Sequence, residues 1–340
     1  MRGMKSRLLT RREMDDLITK PDLPSLIADL ENTPYREYII GAKGRLDGIL
    51  CIEAALRDNF TNTFRKVQDF VRQEEAERYI VIFLHRWDVQ NIKTILRGKN
   101  IHVTSEEIAS CLVPAGEMDE ATLNELLKQP DVRAVVDLLA TWKIPYARPL
   151  TRAYPEFLKT KDLAVLECAL DRYYYDDALA SVNSPGYNNQ IIQDILRLEV
   201  DVINIKTVLR MVRDRVDPEE ARRYLIGGGR VFDERKLGSM LCLSSIEDVV
   251  KTLANTPYRF LADLPESSIR SQKISIIEKE LERFLIRKGV GAFRLEPLSV
   301  ASVIGYFWAK YNEVTNIRVI SRCKTADVSP DILKEELVYV

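Results

Sequence analysis

Apolar and polar residues along this chain are spaced as in helices rather than strands. Runs that alternate apolar and polar positions are few, and only 14 glycines are present, which leaves little room for a β-sheet. In the long helix predicted around residues 84–97, an apolar face continues through Leu84 and Ile95, with Asp88 and Asn91 at its edge. The pattern therefore predicts an all-α protein.

One ten-residue segment of this helical pattern occurs three times. The copies share an acid, an Asn-Ile-base triplet that begins three residues later, and a final arginine. The acid and asparagine pairs are Asp88 with Asn91, Asp201 with Asn204, and Glu313 with Asn316. Successive asparagines are 113 and 112 positions apart. A period kept so closely along the chain indicates internal triplication.

Other features keep the same period of about 112 residues. Each unit has a Pro-Tyr pair, a second helix with a glutamate, and a last short helix with a predicted N-terminal cap. The glutamates are Glu53, Glu167 and Glu278, and the predicted caps are Ser105, Asp217 and Ser329. Joints with glycines at 114–116 and 227–229 divide the chain into three homologous helical domains. Their predicted ranges are 1–118, 119–232 and 233–340.

Composition narrows the classes of function. With 46% apolar and 30% charged residues, the chain is typical of a well-buried soluble protein. The net charge of -1 argues against the broad basic face that nucleic-acid binding needs. Five scattered cysteines and two histidines have no zinc-ligand spacing, so reduced cysteines of a cytosolic protein are expected. The longest apolar runs are far short of the roughly 20 residues of a membrane-spanning helix, and no signal peptide is visible.

The repeated acid and asparagine pairs admit two interpretations. A carboxylate at the edge of a buried stripe needs hydrogen-bond donors or a cation, so each pair is predicted to hold a neighbouring backbone end or a basic side chain. Alternatively, the acids are catalytic or bind a metal. Three equivalent active sites in one chain are unusual, which favours the structural interpretation. A dimetal site that joins these acids to the repeated glutamates would need Glu-x-x-His motifs on facing helices, and the sequence has none. No catalytic residue, metal ligand or cofactor site is predicted.

The triplicated unit, the Met-Lys-Ser-Arg-Leu-Leu opening at residues 4–9, the Asn-Ile-Lys or Asn-Ile-Arg helices and the Pro-Tyr corners together resemble a known family. This family is the C subunit of archaeal A-type and bacterial V/A-type ATP synthases, related to the d subunit of eukaryotic vacuolar ATPases. The resemblance covers essentially the full chain. It departs in two places. Family members usually have an additional N-terminal stretch before the opening motif, and the third signature has Glu313 and Arg318 in place of Asp and Lys.

The resemblance implies a fold and a role. Such proteins are funnel-shaped, with three helical domains around a pseudo-threefold axis. They are non-catalytic, bind no nucleotide and lie on the cytoplasmic end of the membrane rotor ring as peripheral membrane proteins. A central cavity receives the foot of the central stalk, which includes the D and F subunits. The implied function is to pass torque between the ring and the catalytic head, in ATP synthesis or in ATP-driven ion pumping.

Two further expectations concern partners. The short helices after Ser105, Asp217 and Ser329 are expected near the ring-facing end, because helix N-termini with acidic first turns suit polar ring loops. The main alternative function is a helical adaptor or scaffold outside any ATPase, which binds protein partners along a concave face. A third alternative, an all-α carboxylate enzyme, predicts one unit with a pocket of residues that the others lack, and no such unit is visible.

Overall fold

The computed structural model describes residues 2–72, 76–265, 269, 274–294 and 299–340. Every regular element among these residues is an α-helix or a short 3-10 helix, so the prediction of an all-α protein is confirmed for them. The α-helices are α1 (Arg2–Lys5), α2 (Arg11–Thr19), α3 (Leu23–Leu30), α4 (Arg36–Lys43), α5 (Gly48–Val71), α6 (Ala76–Asn100), α7 (Ser105–Cys111), α8 (Glu120–Leu127), α9 (Val132–Thr141), α10 (Ala147–Thr160), α11 (Ala164–Ser181), α12 (Tyr187–Arg213), α13 (Pro218–Ala221), α14 (Glu234–Leu241), α15 (Ile246–Thr252), α16 (Ile274–Gly291), α17 (Ala301–Thr325) and α18 (Pro330–Glu336).

The chain forms two compact units. The first contains Met1–Gly98, His102–Lys128 and Gly289–Val340, and the second contains Lys99–Ile101 and Gln129–Lys288. The first unit therefore combines the beginning of the chain with its last 52 residues. The three repeats at 1–118, 119–232 and 233–340 are a division by internal similarity, and they stay a prediction.

Local chemistry explains where the first helix of each repeat begins. The Thr10 hydroxyl accepts from the Glu13 amide, and the Glu13 carboxylate accepts from the Thr10 amide, which forms a capping box. Asp119 and Asp233 are the N-caps of α8 and α14, and each accepts from a backbone amide three residues later. The predicted starts of these three helices are confirmed.

One predicted cap of the last short helices is wrong by a residue. The N-cap of α7 is Thr104, which forms a capping box with Glu107, and Ser105 is the first residue of the helix. The Ser105 hydroxyl instead donates to the Leu127 carbonyl oxygen at 2.9 Å. Asp217 is the N-cap of α13, where it accepts from two backbone amides. Ser329 occupies the N-cap position of α18 without a side-chain capping bond.

The Pro-Tyr corners bury their rings. Tyr35 is 1% exposed, Tyr146 7% and Tyr258 0%. Each ring lies at the start of a helix or 3-10 turn, where the preceding proline has ended the helix before it. Burial of a large side chain contributes about 1.5–3 kcal/mol, and the two hydroxyls described below also fix neighbouring carboxylates.

Candidate functional site: repeated clasps and an aromatic groove

Each repeated asparagine binds the backbone of a residue 22 positions later. The side-chain N–H donates to that residue's carbonyl oxygen, and the side-chain oxygen accepts from its amide, at 2.7–3.2 Å. The pairs are Asn91 with Val113, Asn204 with Ile226, and Asn316 with Val338. Two bonds from one buried amide satisfy both backbone groups of a residue that lies outside regular structure. We call these pairs the asparagine clasps.

Each repeated acid binds the backbone just before the next helix cap. Asp88 accepts from the amides of Glu117 and Met118, both at 2.9 Å, and Met118 directly precedes the cap Asp119. Both carboxylate oxygens are used, and Asp88 is 1% exposed. We call this arrangement an acid clasp.

The second acid clasp repeats this geometry and adds a tyrosine. Asp201 accepts from the amides of Val231 at 2.9 Å and Phe232 at 3.3 Å, and Phe232 directly precedes the cap Asp233. The Tyr258 hydroxyl donates to the same carboxylate at 3.0 Å. The Pro-Tyr corner of the third repeat thus completes the acid clasp of the second.

The third acid clasp joins the end of the chain to its beginning. Glu313 accepts from the amide of Leu9, which directly precedes the cap Thr10, and from the Tyr35 hydroxyl at 2.7 Å. Lys310 donates to Glu313 at 2.7 Å and to the Tyr35 oxygen at 3.0 Å. Lys310 and Glu313 are each 4% exposed. Removing one partner of such a buried pair destabilises a protein by about 3–5 kcal/mol.

Two glycines allow the backbone to approach the acids. A Cβ added at Gly116 would collide with the Asp88 carboxylate, and one added at Gly229 would collide with the Asp201 carboxylate and lie 2.9 Å from the Phe232 carbonyl oxygen. The glycines at the repeat joints therefore have a packing role in the clasps.

Burial dominates the titration of these acids. It raises the pKa of Asp88 to about 6, although the amides of Met118 and Glu117 lower it. Burial likewise raises the pKa of Asp201 against the hydrogen bonds that it accepts. Burial, with the adjacent Asp201 carboxylate, raises the pKa of Tyr258, so its hydroxyl remains a donor.

The repeated glutamates form ion pairs. Glu53 pairs with Arg318 at 2.7 Å and Arg322 at 3.0 Å, and Glu278 pairs with Arg210 at 2.6 Å. In both, the basic residues belong to the signature of the preceding repeat, counted cyclically. Glu167 lies half-buried in the first turn of α11.

The carboxylates do not gather as a metal site in the part of the chain that the structure describes. No group of three or more His, Cys, Asp or Glu side chains there is placed to hold a metal ion. The dimetal alternative would bring together the repeated glutamates and the signature acids. Instead, Glu53 faces two arginines, whereas Asp88, Asp201 and Glu313 face backbone amides.

A groove of about 900 Å³ lies within the first compact unit, between α5, α6 and α17, with α7 at its edge. Rings join its walls: Phe64 stacks on Phe307 with centroids 4.3 Å apart, and Trp87 lies 4.9 Å from Phe60 and 6.3 Å from Tyr311. The aromatic residues that line the groove are Phe60, Phe64, Phe83, Trp87, Phe307, Trp308 and Tyr311. Its other end is aliphatic and charged.

The groove is long enough to hold a helix. Its lining on α5 runs from Ile49 to Phe64 and on α17 from Phe307 to Arg322, 15 residue steps in each case. At 1.5 Å rise per residue this is about 22 Å, or roughly four helical turns. The charged end contains the Glu53 ion pairs. Such a surface suits the apolar face of a partner helix.

The groove was not among the sites expected from the sequence. Its signal is present as aromatic residues four positions apart in three long helices: Phe60 and Phe64, Phe83 and Trp87, and Phe307 and Tyr311. These pairs do not follow the 112-residue period, so a search for repeated positions passes over them. Among the described residues, no helix is both long enough and apolar enough to span a membrane.

The comparisons with known proteins agree over the whole chain. The family model described as ATP synthase (C/AC39) subunit matches residues 1–336. The C subunit of the A-type ATP synthase of Halorubrum lacusprofundi is 32% identical over 91% of this chain and 87% of its own length. The same protein of Methanococcoides burtonii is 28% identical over 99% and 92%, and that of Methanocaldococcus jannaschii 26% over 99% and 84%. The chain belongs to the ATP synthase (C/AC39) subunit family.

Proposed function

We propose that this protein is a non-catalytic central-stalk subunit of an A/V-type ATP synthase, which couples the central stalk to the membrane rotor ring. The family match over residues 1–336 and the relatives named as the C subunit of A-type ATP synthases support this proposal. The complex makes ATP from an ion gradient or uses ATP to pump ions. The protein lies at the cytoplasmic face of the membrane, peripherally, through the ring.

The aromatic groove carries the stalk contact in this proposal. A torque-transmitting contact needs a wide apolar surface on stiff elements, and the groove walls are helices of 24 and 25 residues joined by stacked rings. Its occupant is the helical foot of the central stalk, formed by the D and F subunits. Apolar side chains of that foot would pack on Phe64, Trp87 and Phe307, with polar contacts at the charged end.

The ring contact belongs to the short capped helices. Their first turns carry Glu106 and Glu107 in α7, Glu219 and Glu220 in α13, and Asp331 in α18. Anionic first turns are stabilised by the helix dipole and remain available to polar or basic ring loops. Three similar contacts, after Ser105, Asp217 and Ser329, would add as repeated weak interfaces.

The clasps support a pseudo-threefold arrangement of the repeats in a funnel. Each acid clasp binds the start of the next repeat, and the third binds the start of the first. The same geometry gives the acids a structural role, because backbone amides and tyrosines occupy their oxygens. This supports assigning no catalytic step to them.

Co-purification tests the coupling role. The tagged protein is isolated from gently solubilised membranes of its native cell, and its partners are identified. The catalytic subunits, the D and F stalk subunits and the ring are expected together. A soluble monomer with none of them would overturn the proposal and favour the free helical adaptor.

A matched pair of surface variants tests the groove. Leu50 and Ile40 are both 53% exposed, but only Leu50 lines the groove. Leu50→Asp is expected to weaken binding to the purified stalk at least about tenfold, since it places a charge in an apolar contact. Ile40→Asp should leave binding unchanged. Equal affinities for the two variants would exclude the groove as the stalk site.

A further inference from the structure

The groove is assembled from the two ends of the chain. Its walls α5 and α6 lie within residues 48–100, whereas α17 begins at Ala301. Both ends belong to the first compact unit, although residues 129–288 of the other unit separate them in sequence. Every aromatic contact between α5 and α17 therefore crosses a boundary between the first and last parts of the chain. We call this boundary the seam.

The seam lacks the covalent link that the other joints have. Between Val113, held by an asparagine clasp, and Met118, held by an acid clasp, the chain runs directly through five residue steps. Between Ile226 and Phe232 it runs through six. The corresponding positions at the seam are Val338 and Leu9, at opposite ends of the sequence. Side chains alone hold this joint closed.

The side chains at the seam are correspondingly more numerous. Its acid clasp is the copy that includes a buried lysine, Lys310. Elsewhere on the seam, the Tyr339 hydroxyl donates to Asp15 at 2.7 Å, and the Lys324 ammonium donates to the Ile18 carbonyl oxygen at 2.9 Å. The Glu53 ion pairs with Arg318 and Arg322 lie on the seam and in the groove lining at once.

We infer that the seam is a releasable closure that assembles the partner-binding groove, with Glu313, Tyr35 and Lys310 as its positioning residues. When the closure opens locally, α17 separates from α5 and the groove is lost, because no backbone connection keeps its walls together. A partner in the groove contacts both sides and so holds the seam shut by mass action. The identity of that partner rests on the proposed function, whereas the closure itself does not.

Hydrogen exchange of the isolated protein tests the closure with a matched pair. Tyr35→Phe removes the hydroxyl that donates to Glu313, and Tyr258→Phe removes the equivalent hydroxyl that donates to Asp201 at a covalent joint. Tyr35→Phe is expected to speed amide exchange about tenfold or more in residues 9–19, 50–66 and 301–322 together, the effect of a lost hydrogen bond to a charged group. Tyr258→Phe should leave those segments unchanged.

The opposite pattern would overturn the inference. If Tyr35→Phe speeds exchange only near residue 35, or if Tyr258→Phe loosens the groove equally, the seam does not control the groove. Fluorescence gives a second readout in a Trp142→Phe background, where Trp87 and Trp308, both in the groove lining, are the remaining tryptophans. Acrylamide quenching should rise with Tyr35→Phe and not with Tyr258→Phe.

A circular permutant provides the rescue experiment and covers a Tyr35→Phe chain that fails to fold. Residue 340 is joined to residue 1 by a flexible linker of about six Gly and Ser residues, and new ends are opened between Gly227 and Gly228. The linked chain should restore folding and slow groove exchange to Tyr35→Phe. If the linked chain with Tyr35 intact does not fold, or if it folds and the linker leaves groove exchange unchanged, the closure model is wrong. Because no partner is present, these outcomes are independent of the stalk-binding test.

Discussion

At the scale of single residues, the clasps explain why particular side-chain types recur. An asparagine offers one donor and one acceptor in a plane, which matches the N–H and C=O of a single backbone residue such as Ile226. An aspartate offers two acceptors, which matches consecutive amides such as those of Glu117 and Met118. Exchanging the two residue types would leave buried backbone groups without partners, so their positions are not interchangeable.

The joint glycines give a prediction at this scale. Gly229→Ala places a methyl group against the Asp201 carboxylate and the Phe232 carbonyl, and overpacking of this kind destabilises by about 1–3 kcal/mol. Gly227→Ala is the control, because a Cβ there meets nothing within 4 Å. Urea unfolding should show a lower midpoint for Gly229→Ala and a nearly unchanged one for Gly227→Ala. Similar midpoints for both would remove the packing role assigned to Gly229.

Asp88 gives a pH prediction whose sign follows from its pKa. Burial raises the pKa from an ordinary 3.8 to about 6, so between these values the folded protein binds the proton and the unfolded chain does not. The contribution of Asp88 to stability therefore increases as the pH falls from 7 towards 5, and it decreases as the pH rises through about 6. The full effect is at most about 3 kcal/mol.

Unfolding free energies of the wild type and Asp88→Asn at pH 5 and pH 7.5 measure this effect. The asparagine cannot titrate, so the wild type should gain stability relative to the variant at pH 5. Asp119→Asn is the control, because hydrogen bonds from Thr122 hold the pKa of this exposed cap below its usual range. Its difference from the wild type should be the same at both pH values. A wild-type advantage that grows towards pH 7.5 would mean that the amide hydrogen bonds outweigh burial.

At the scale of elements, helix starts were the most predictable features. Thr10, Asp119 and Asp233 act through neighbours two or three residues away, so their capping is visible in the local sequence. The error at Ser105 came from applying a spacing of 112 residues. The asparagines are 113 and 112 apart, and the same spacings lead back from Ser329 and Asp217 to Thr104, the observed cap.

Contacts between distant helices were less predictable. Helical spacing placed Asp88 and Asn91 at the edge of a buried face, but it could not show which backbone segment they hold. Those segments lie 22 to 30 residues away in the first repeat. At the seam, Glu313 and Leu9 are 304 residues apart. The aromatic groove depends on the same long-range packing of α5 with α17, and spacing within one helix does not encode it.

The two short-helix caps that differ in hydrogen bonding give an element-scale prediction. Asp217 accepts from the amides of Glu219 and Glu220, whereas the Ser329 side chain makes no capping bond. Asp217→Ala should therefore destabilise the start of α13 by about 1 kcal/mol, and Ser329→Ala should change α18 much less. Amide exchange in residues 218–224 and 330–336 measures both. Equal increases in the two helices would show that side-chain capping is not what sets their stability.

At the scale of the whole molecule, the two proposed contacts use different residues. The stalk contact uses a groove lined by α5, α6 and α17, and the ring contact uses the first turns of short helices. Among the short helices, α7 contributes Glu106 and Glu107 to the groove edge as well. Substitutions in α13 and α18 therefore separate ring binding from stalk binding, and substitutions in α7 do not.

Charge reversal in these two helices is the last prediction. The double variant Glu220→Lys with Asp331→Lys changes one exposed acid in the first turn of each helix. Each reversal replaces a favourable contact with an unfavourable one, so ring attachment should weaken about tenfold and become less dependent on salt. The measurement is the fraction of protein retained on washed membranes, with stalk binding measured in parallel and expected to be unchanged. Glu37→Lys makes the same change in the first turn of α4 and is the control. Ring attachment that survives the double variant, or falls equally with Glu37→Lys, would place the ring contact on another surface.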